Sequence, residues 1–149
     1  MSMSQLLFSF TGRLNRKPYW LTALCLMVIF LVVVAAVVIG GGASILAGDL
    51  SGLGVLLFIL IIAYIPLLWI GLALGAKRLH DRNKSGWWLV LFWIVPAILQ
   101  GIGEQIEGIG LIFTLAGLAL SIWGLVEIGF LRGTVGPNQY GPDPLEGPR

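Results

Sequence analysis

The stretch AKRLHDRNKSGWW, residues 76–88, is the charged centre of an otherwise apolar chain. It contains four of the nine Lys and Arg residues and the only histidine, and long uncharged runs lie on both sides of it. Its final Trp87 and Trp88 are typical of residues at a membrane–water interface. The pattern therefore predicts a short polar loop between two membrane-spanning helices.

The composition places the whole chain among membrane proteins. Of its 149 residues, 58% are hydrophobic and only 11% are charged, and the mean hydropathy is +0.97. Soluble domains have about 25% charged residues, so these few charges could not cover a water-exposed surface. Nucleic acid is excluded as a partner because the basic residues lie beside apolar runs of bilayer length. The single cysteine, Cys25, excludes an internal disulfide and a cysteine metal site.

Four apolar runs predict an all-α integral membrane protein with four transmembrane helices. The first run is 22 residues long, or about 33 Å as a helix, and the hydrocarbon core is about 30 Å thick. It exceeds the core of a cleaved signal peptide, so an uncleaved helix is favoured. The third run is short and contains Pro96, so a re-entrant arm is the alternative to a full span. The expected spans of this single membrane domain are residues 19–40, 53–76, 87–103 and 109–131.

The positions of the charges predict the orientation. Asp49, Glu104 and Glu107 are the only charged residues in the two loops on one side. All nine bases lie in the three segments on the other side: Arg13, Arg16, Lys17, Lys77, Arg78, Arg82, Lys84, Arg132 and Arg149. Because basic loops stay in the cytoplasm, both termini and the central loop are predicted to be cytoplasmic. Residues 1–18 form an amphipathic N-terminal segment, and residues 132–149 a tail too rich in Gly and Pro for a helix.

Three polar segments resemble one family when they are taken together. They are FTGRLNRKPYW at residues 10–20, KRLHDRNKSGWW at residues 77–88 and GTVGPNQYGPDP at residues 133–144. Their order and content are similar to those of the DUF805 family of small bacterial inner-membrane proteins. The resemblance implies a four-helix, multi-pass protein of the bacterial inner (cytoplasmic) membrane, and it implies no established activity.

The predicted topology brings these three segments to the same membrane face, where we expect them to form one polar cap. A guanidinium group forms two parallel hydrogen bonds with a carboxylate or a phosphate. The arginines are therefore either neutralised by carboxylates of the chain or neutralised by a bound anion. The polar cap is the predicted anion-binding site, and its members are Arg13, Arg16, Arg78, His80, Asp81, Arg82, Asn138, Tyr140 and Asp143.

Two further features bear on this site. Glu127 is the one ionisable group inside an apolar run, and we expect it to face the bundle and pair with Arg78 or another base on the cytoplasmic side. The tail is expected to fold back so that Tyr140 packs on the polar cap, the alternative being a disordered tail. No catalytic residues, metal ligands or cofactor are predicted, because His80 has no second histidine or cysteine near it in sequence.

Small residues predict close helix packing. Gly103, Gly110, Gly117 and Gly124 recur every seven residues, and the last three form a smooth face on the fourth span that another helix can approach. This pattern leaves a homo-oligomer as one expectation.

Three classes of function fit the sequence. The favoured one is a non-enzymatic module whose polar cap binds anionic lipid headgroups or a partner protein. A small transporter or channel is disfavoured, since no line of polar residues crosses the apolar runs. An enzyme acting on a membrane-embedded substrate through His80, Asp81 and the arginines is disfavoured by the lack of a nucleophile–base set.

Overall fold

The computed structural model describes residues 2–48 and 53–146, and within them it is helical, as predicted. The only strand-like pairing in these residues is a single bridge between Asn138 and Gly141. Asp49 and Arg149, two of the charges used to predict orientation, lie outside the described residues. The helices are α1 (Met3–Phe8), α2 (Arg16–Leu46), α3 (Leu53–Asp81), α4 (Val95–Gln105) and α5 (Gly110–Leu125), with π-helical turns at Val90–Ile94 and Val126–Phe130.

Three of these helices are long and apolar enough to cross a membrane. They cover Arg16–Gly42, Gly54–Asp81 and Gly110–Phe130, and they correspond to the first, second and fourth expected spans. The third expected span is the shorter apolar helix Val90–Gln105, which begins with the π-helical turn. Pro96 is the second residue after that turn and has no N–H to donate. A π-helical turn absorbs the missing hydrogen bond and moves the proline ring away from the preceding carbonyl groups.

The amphipathic segment predicted for residues 1–18 contains only a short helix. Helix α1 begins with a capping box, in which the Ser2 hydroxyl accepts from the N–H of Gln5 and the Gln5 side chain accepts from the N–H of Ser2. It ends at Phe8, and an irregular stretch leads to α2. The buried ammonium group of Lys77 donates to the carbonyl oxygens of Gln5 and Leu6. These carbonyl groups carry the partial negative charge of the helix end, so a cation stabilises them.

The chain forms two compact units. One unit is Trp20–Gly71, most of α2 and α3, and its large apolar side chains are mainly exposed, as suits a surface in contact with lipid. The other unit comprises Met1–Tyr19 and the chain from Leu72 onward. Its apolar core is formed by Ala76, Leu79, Leu89, Phe92 and Ile128.

Helices α4 and α5 form a tightly packed hairpin at the glycines that recur every seven residues. A Cβ atom on Gly103 would lie 2.7 Å from the carbonyl oxygen of Gly110, and one on Gly117 would lie 3.0 Å from the carbonyl oxygen of Pro96. A Cβ atom on Gly124 would lie 2.7 Å from Phe92. The smooth face predicted from these glycines is thus covered within the chain, by α4 and the π-helical turn before it.

Gly103→Ala is expected to lower the stability of the purified protein by about 1–3 kcal/mol, because the new methyl group overlaps a backbone carbonyl that cannot rotate away. Gly101→Ala is the matched control. It lies in the same helix with no atom within 4 Å of a Cβ, so it should be neutral or slightly stabilising. Thermal unfolding in detergent measures both variants, and equal midpoints would contradict this packing.

Candidate functional site

The three polar segments meet at the carboxylate of Asp81. Its Oδ1 accepts from Nε of Arg13 at 3.1 Å, and its Oδ2 accepts from Nη1 of Arg78 at 2.6 Å. The side chains of all three residues are at most 4% exposed. Arg78 and Asp81 lie three residues apart on α3, so their side chains share one face of the helix. One buried carboxylate thus holds two buried guanidinium groups.

Most of the remaining guanidinium donors bond to the backbone of residues 131–141, whereas Nε of Arg78 is buried without a hydrogen-bond partner among the described residues. Nη1 of Arg13 donates to the carbonyl oxygens of Gly136 at 2.7 Å and Gly141 at 3.3 Å, and Nη2 donates to that of Thr134 at 2.6 Å. Nη2 of Arg78 donates to the carbonyl oxygen of Leu131. The tail is therefore folded back and held by charge-assisted hydrogen bonds.

Asp81 also holds the first residues of the tail. Its carbonyl oxygen accepts from the N–H of Thr134 at 2.8 Å and from the Thr134 hydroxyl at 3.1 Å. A Cβ atom on Gly133 would collide with the Asp81 carboxylate. Glycine is required at this point because the backbone passes directly over the ion pairs.

His80 joins the N-terminal segment to the tail on another side of the polar cap. Its Nδ1 lies 3.2 Å from the carbonyl oxygen of Gly12, and its ring stacks on Tyr140 with centroids 3.9 Å apart and planes 4° apart. The amide of Asn138 donates to the carbonyl oxygen of His80 at 2.9 Å. The packing of Tyr140 on His80 follows the predicted fold-back of the tail.

Glu127 forms a second ionic cluster on the π-helical turn that ends the last span. Its Oε1 lies 3.0 Å from Nε of Arg82 and 3.0 Å from Nζ of Lys84. Glu127 is only 5% exposed, whereas its two partners are 26% and 27% exposed. Its partners are bases of the central loop other than Arg78, whose guanidinium is committed to Asp81. Lys84 also lies 4.5 Å from the ring centroid of Trp88, a cation–π contact.

Asp143 organises the tail itself. Its carboxylate accepts from the N–H of Leu145 at 2.9 Å and from that of Gly136 at 3.1 Å. The hydrogen bond from Leu145, followed by that from Gly136 and the charges of Arg13 and Arg132, holds the pKa of Asp143 below its usual range despite some burial. The group is therefore ionised throughout the physiological pH range.

Arg16 of the polar cap and two bases outside it, Lys17 and Arg132, have no carboxylate partners among the described residues. Arg16 is exposed and donates through Nη1 to the carbonyl oxygen of Phe130 at 3.0 Å. Lys17 and Arg132 are exposed, and neither forms an ion pair with any described residue. Residues 2–19, 77–84 and 126–146 together contain eight Lys and Arg residues and four Asp and Glu residues. This face therefore keeps a formal excess of four positive charges.

A small cavity opens beside these outer bases, where α2 begins and the tail leaves the last span. The residues that line it are Asn15, Arg16, Asp81, Arg132, Gly133, Asp143 and Leu145. A larger groove shares two of these residues with it, Asn15 and Asp143. Sequence reasoning missed Asn15 and Lys77 as members of this region. Lys77 could have been suspected from its position one residue before Arg78, but the position of Asn15 depends on how the N-terminal segment folds back.

Comparison with known proteins gives the family. The family model described as "Protein of unknown function (DUF805)" matches residues 7–142. The chain belongs to the DUF805 family. The resemblance seen in the three polar segments is thereby confirmed, and the match includes all of them.

Two relatives from Escherichia coli (strain K12) cover nearly the whole DUF805 chain. "Uncharacterized protein YiiR" is 29% identical over 96% of this chain and 90% of its own length. "Inner membrane protein YhaI" is 30% identical over 93% of this chain and 87% of its own length. No solved structure matches. Together with the three span-length apolar helices, the likeness to an inner-membrane protein makes this chain a membrane protein.

The loss of stability on substitution of three carboxylates should increase with the burial of the carboxylate and with the burial of its partners. Asp81→Asn leaves two buried guanidinium groups without a counter-charge and should cost about 3–5 kcal/mol. Glu127→Gln should cost less, roughly 1–3 kcal/mol, because Arg82 and Lys84 can turn to solvent. Glu104→Gln, at an exposed site, is the control and should change little. Thermal unfolding in detergent provides the ranking, and an Asp81→Asn midpoint equal to that of the control would refute a buried ionic centre.

Proposed function

We propose that this DUF805 protein is a four-span inner-membrane protein with both termini in the cytoplasm, and that its polar cap binds anionic lipid headgroups as a non-enzymatic module. The observation that carries the proposal is the excess of positive charge on the face formed by the three polar segments. Basic residues near the membrane surface attract anionic lipids by about 1 kcal/mol each. The name of the relative YhaI supports the choice of membrane.

The contacts at Asp81 support the four-span topology through a parity argument. Arg13, Asp81 and the tail touch one another directly, so the N-terminal segment, the central loop and the tail lie on one side. The chain between the central loop and the tail must then cross the membrane an even number of times. Because the last helix is long enough to cross once, Val90–Gln105 must return across the membrane. Its 16 residues span about 24 Å, a length that a locally thinned bilayer accommodates.

Labelling of single cysteines from either side of the membrane tests this topology. In a Cys25→Ser background, Thr11→Cys and Glu146→Cys are expected to react only from the cytoplasm, and Ala47→Cys and Glu107→Cys only from the opposite side. All four positions are exposed. Opposite sidedness for Thr11→Cys and Glu146→Cys would overturn the four-span topology.

The contacts divide the bases on this face into an inner and an outer layer, and the outer layer includes Lys17 and Arg132, which were not predicted as members of the polar cap. Arg13 and Arg78 are neutralised by Asp81 and saturate most of their donors on the tail backbone, so they hold the segments together. Arg16, Lys17 and Arg132 are exposed and keep donors available. We therefore assign anion binding to the outer layer. Most of the arginines that the sequence suggested as anion ligands do not belong to this layer.

The other two classes of function have less support in the described residues. The hydroxyls of Thr114 and Ser121 bond to carbonyl groups of their own helix, and Glu127 is held by two bases, which speaks against a polar path for transport. His80 is engaged by Gly12 and stacked on Tyr140. Its neighbour Asp81 points at the arginines, so the two do not form an acid–base pair.

Retention of lipid by the purified protein tests the proposed function. The full chain is reconstituted in nanodiscs with equal amounts of phosphatidylglycerol and phosphatidylethanolamine, extracted with mild detergent and analysed for bound lipid by native mass spectrometry. We expect the wild type to retain mainly the anionic lipid. The Arg16→Gln/Lys17→Gln/Arg132→Gln variant should lose most of that preference, since three charges near the surface contribute about 1 kcal/mol each.

The control for this experiment is Glu104→Gln/Glu107→Gln, which raises the net charge by two on the loop assigned to the opposite side. It should leave the preference unchanged if the anionic lipid binds at the polar cap. Equal retention of the anionic and the zwitterionic lipid by the wild type would refute the proposed function.

A further inference from the structure

The imidazole of His80 has one nitrogen that forms no hydrogen bond within the described part of the chain. Its other nitrogen, Nδ1, lies 3.2 Å from the carbonyl oxygen of Gly12. Because a carbonyl oxygen only accepts, the neutral ring carries its proton on Nδ1, and Nε2 is an acceptor. No described residue donates to Nε2, and this atom is not sealed inside the protein. A Cβ atom on Gly86 would lie 3.9 Å from Nε2, so Gly86 lies on that side of the ring.

A pocket opens on the side of His80 where Nε2 lies. His80 and Gly86 both line it, and the other lining residues are the apolar Phe10, Leu72, Ala76, Trp87, Leu89 and Val90. None of the described residues that line it is a Lys, Arg, Asp or Glu. The pocket is therefore an uncharged, apolar surface with a single side-chain acceptor, Nε2 of His80.

The pocket has room for part of a lipid molecule and lies where lipids can reach it. Its volume is about 360 Å³, within the range of roughly 300–1,000 Å³ found for sites that bind small organic molecules. Trp87 and Val90 are exposed, so the pocket is open at the start of the third expected span. A tryptophan at the end of a span lies at the level of the lipid headgroups. A lipid can therefore enter the pocket from the side without leaving the bilayer.

The chemistry of the pocket selects an uncharged hydrogen-bond donor. An ionised phosphate diester has no proton to donate to Nε2, and its charge finds no cation among the lining residues. The ammonium group of phosphatidylethanolamine can donate, but moving a charge into apolar surroundings without a counter-charge is costly. A hydroxyl group donates a hydrogen bond and carries no charge. The pocket therefore suits a lipid with a hydroxyl group next to its apolar chains.

We propose that this pocket binds diacylglycerol, whose hydroxyl group donates to Nε2 of His80 while the first segments of its acyl chains pack on the apolar lining. In diacylglycerol the hydroxyl is attached to the same three-carbon unit as both chains. The donor and the chains therefore enter at the same depth, as the position of Nε2 within an apolar lining requires.

The lining favours acyl chains over the ring of a quinol, which also has a hydroxyl group beside an apolar chain. Leu72, Ala76, Leu89 and Val90 are aliphatic and suit flexible chains. A quinol ring binds best against a flat aromatic surface, and one face of the His80 ring is already covered by Tyr140. Diacylglycerol is therefore the ligand assigned to the pocket.

This inference goes beyond the proposed function because it concerns a second lipid site with a different chemistry. The proposed function uses positive charge at Arg16, Lys17 and Arg132 to attract anionic headgroups. None of these three bases lines the pocket beside His80. The two sites can therefore be disrupted separately.

A matched pair of ligands tests the hydrogen bond in the wild-type chain. Dioctanoylglycerol and its methyl ether have the same acyl chains and the same oxygen atoms, but the ether has no proton to donate. Each is titrated into the purified protein in detergent at about pH 8, where an ordinary imidazole is neutral, and bound ligand is measured by native mass spectrometry. Dioctanoylglycerol should bind roughly three- to tenfold more tightly, the usual effect of one hydrogen bond. Equal affinities would overturn the proposal.

Two substitutions of His80 separate the contact at Nε2 from the structural contact at Nδ1. In His80→Asn the side-chain amide lies near the position of Nδ1, so it can still donate to Gly12, but the acceptor at Nε2 is lost. In His80→Gln the amide lies near the position of Nε2, so an acceptor remains there and the contact with Gly12 is lost.

The measured quantity is the ratio of the affinities for dioctanoylglycerol and its methyl ether. This ratio should fall to near one in His80→Asn and stay above one in His80→Gln. A purely structural role of His80 predicts no such difference between the variants. A ratio that is the same in both variants, or that falls only in His80→Gln, would overturn the assignment of the hydroxyl to Nε2.

The Arg16→Gln/Lys17→Gln/Arg132→Gln variant shows whether the two lipid sites are separate. It should bind dioctanoylglycerol as tightly as the wild type, because the three bases do not line the pocket. His80→Asn, in turn, should keep the wild-type preference for phosphatidylglycerol over phosphatidylethanolamine. A parallel loss of both ligands in the triple variant would overturn a separate pocket. An absence of anionic preference in the wild type would refute the proposed function alone.

Decylubiquinol tests the choice of diacylglycerol as the ligand. It is added in equal amount to protein loaded with dioctanoylglycerol, and the two bound species are separated by mass. We expect dioctanoylglycerol to remain the main bound ligand. Replacement of most of it by decylubiquinol would overturn the choice of diacylglycerol in favour of a quinol.

Discussion

One buried carboxylate holding two buried guanidinium groups is the constraint on which the compact unit depends. Burial of a charge is costly unless it is paired and its remaining hydrogen-bonding capacity is used. Asp81 provides the pairing for Arg13 and Arg78, and carbonyl groups of residues 131–141 use most of the other donors, all except the buried Nε of Arg78. The tail has no helix among residues 131–146, so its own backbone leaves these acceptors free. The irregular tail therefore supplies acceptors for the buried arginines, and the arginines supply donors for its carbonyl groups.

The same arrangement separates structural charge from charge that can bind a ligand. In a region with eight bases and four carboxylates, Asp81 pairs with two buried arginines and Glu127 with two partly exposed bases. The buried Lys77 is held by carbonyl oxygens instead. Arg16, Lys17 and Arg132 stay exposed. A protein that used its buried arginines to bind an anion would have to release the tail first. Binding at the outer bases requires no such rearrangement, which is why the proposed lipid contact lies there.

Several features of the site were accessible from sequence because they depend on local spacing. Arg78 and Asp81 are three residues apart at the end of an apolar helix, so a shared face follows from helix geometry. The glycines from Gly103 to Gly124 indicated a closely packed face for the same reason, although not that α4 would be the element to cover it. The partners of Glu127 were left open between Arg78 and other bases. In the structure Arg78 pairs with Asp81 and is therefore not available to Glu127. The spacing along one helix does not show which of these two carboxylates Arg78 contacts.

The sequence by itself determined the class of the protein, since hydropathy and helix periodicity act within single segments. It gave helices of bilayer length, an uneven distribution of bases and three polar motifs characteristic of the DUF805 family. Only the tertiary structure decided which charges neutralise one another and which stay exposed. It also decided that Arg13 and Arg78 share Asp81 while Arg16 and Arg132 have no carboxylate partner among the described residues. These outcomes depend on contacts between residues far apart in the chain, 45 positions for Arg82 and Glu127 and 68 for Arg13 and Asp81, whose geometry is set by packing and not by local pattern.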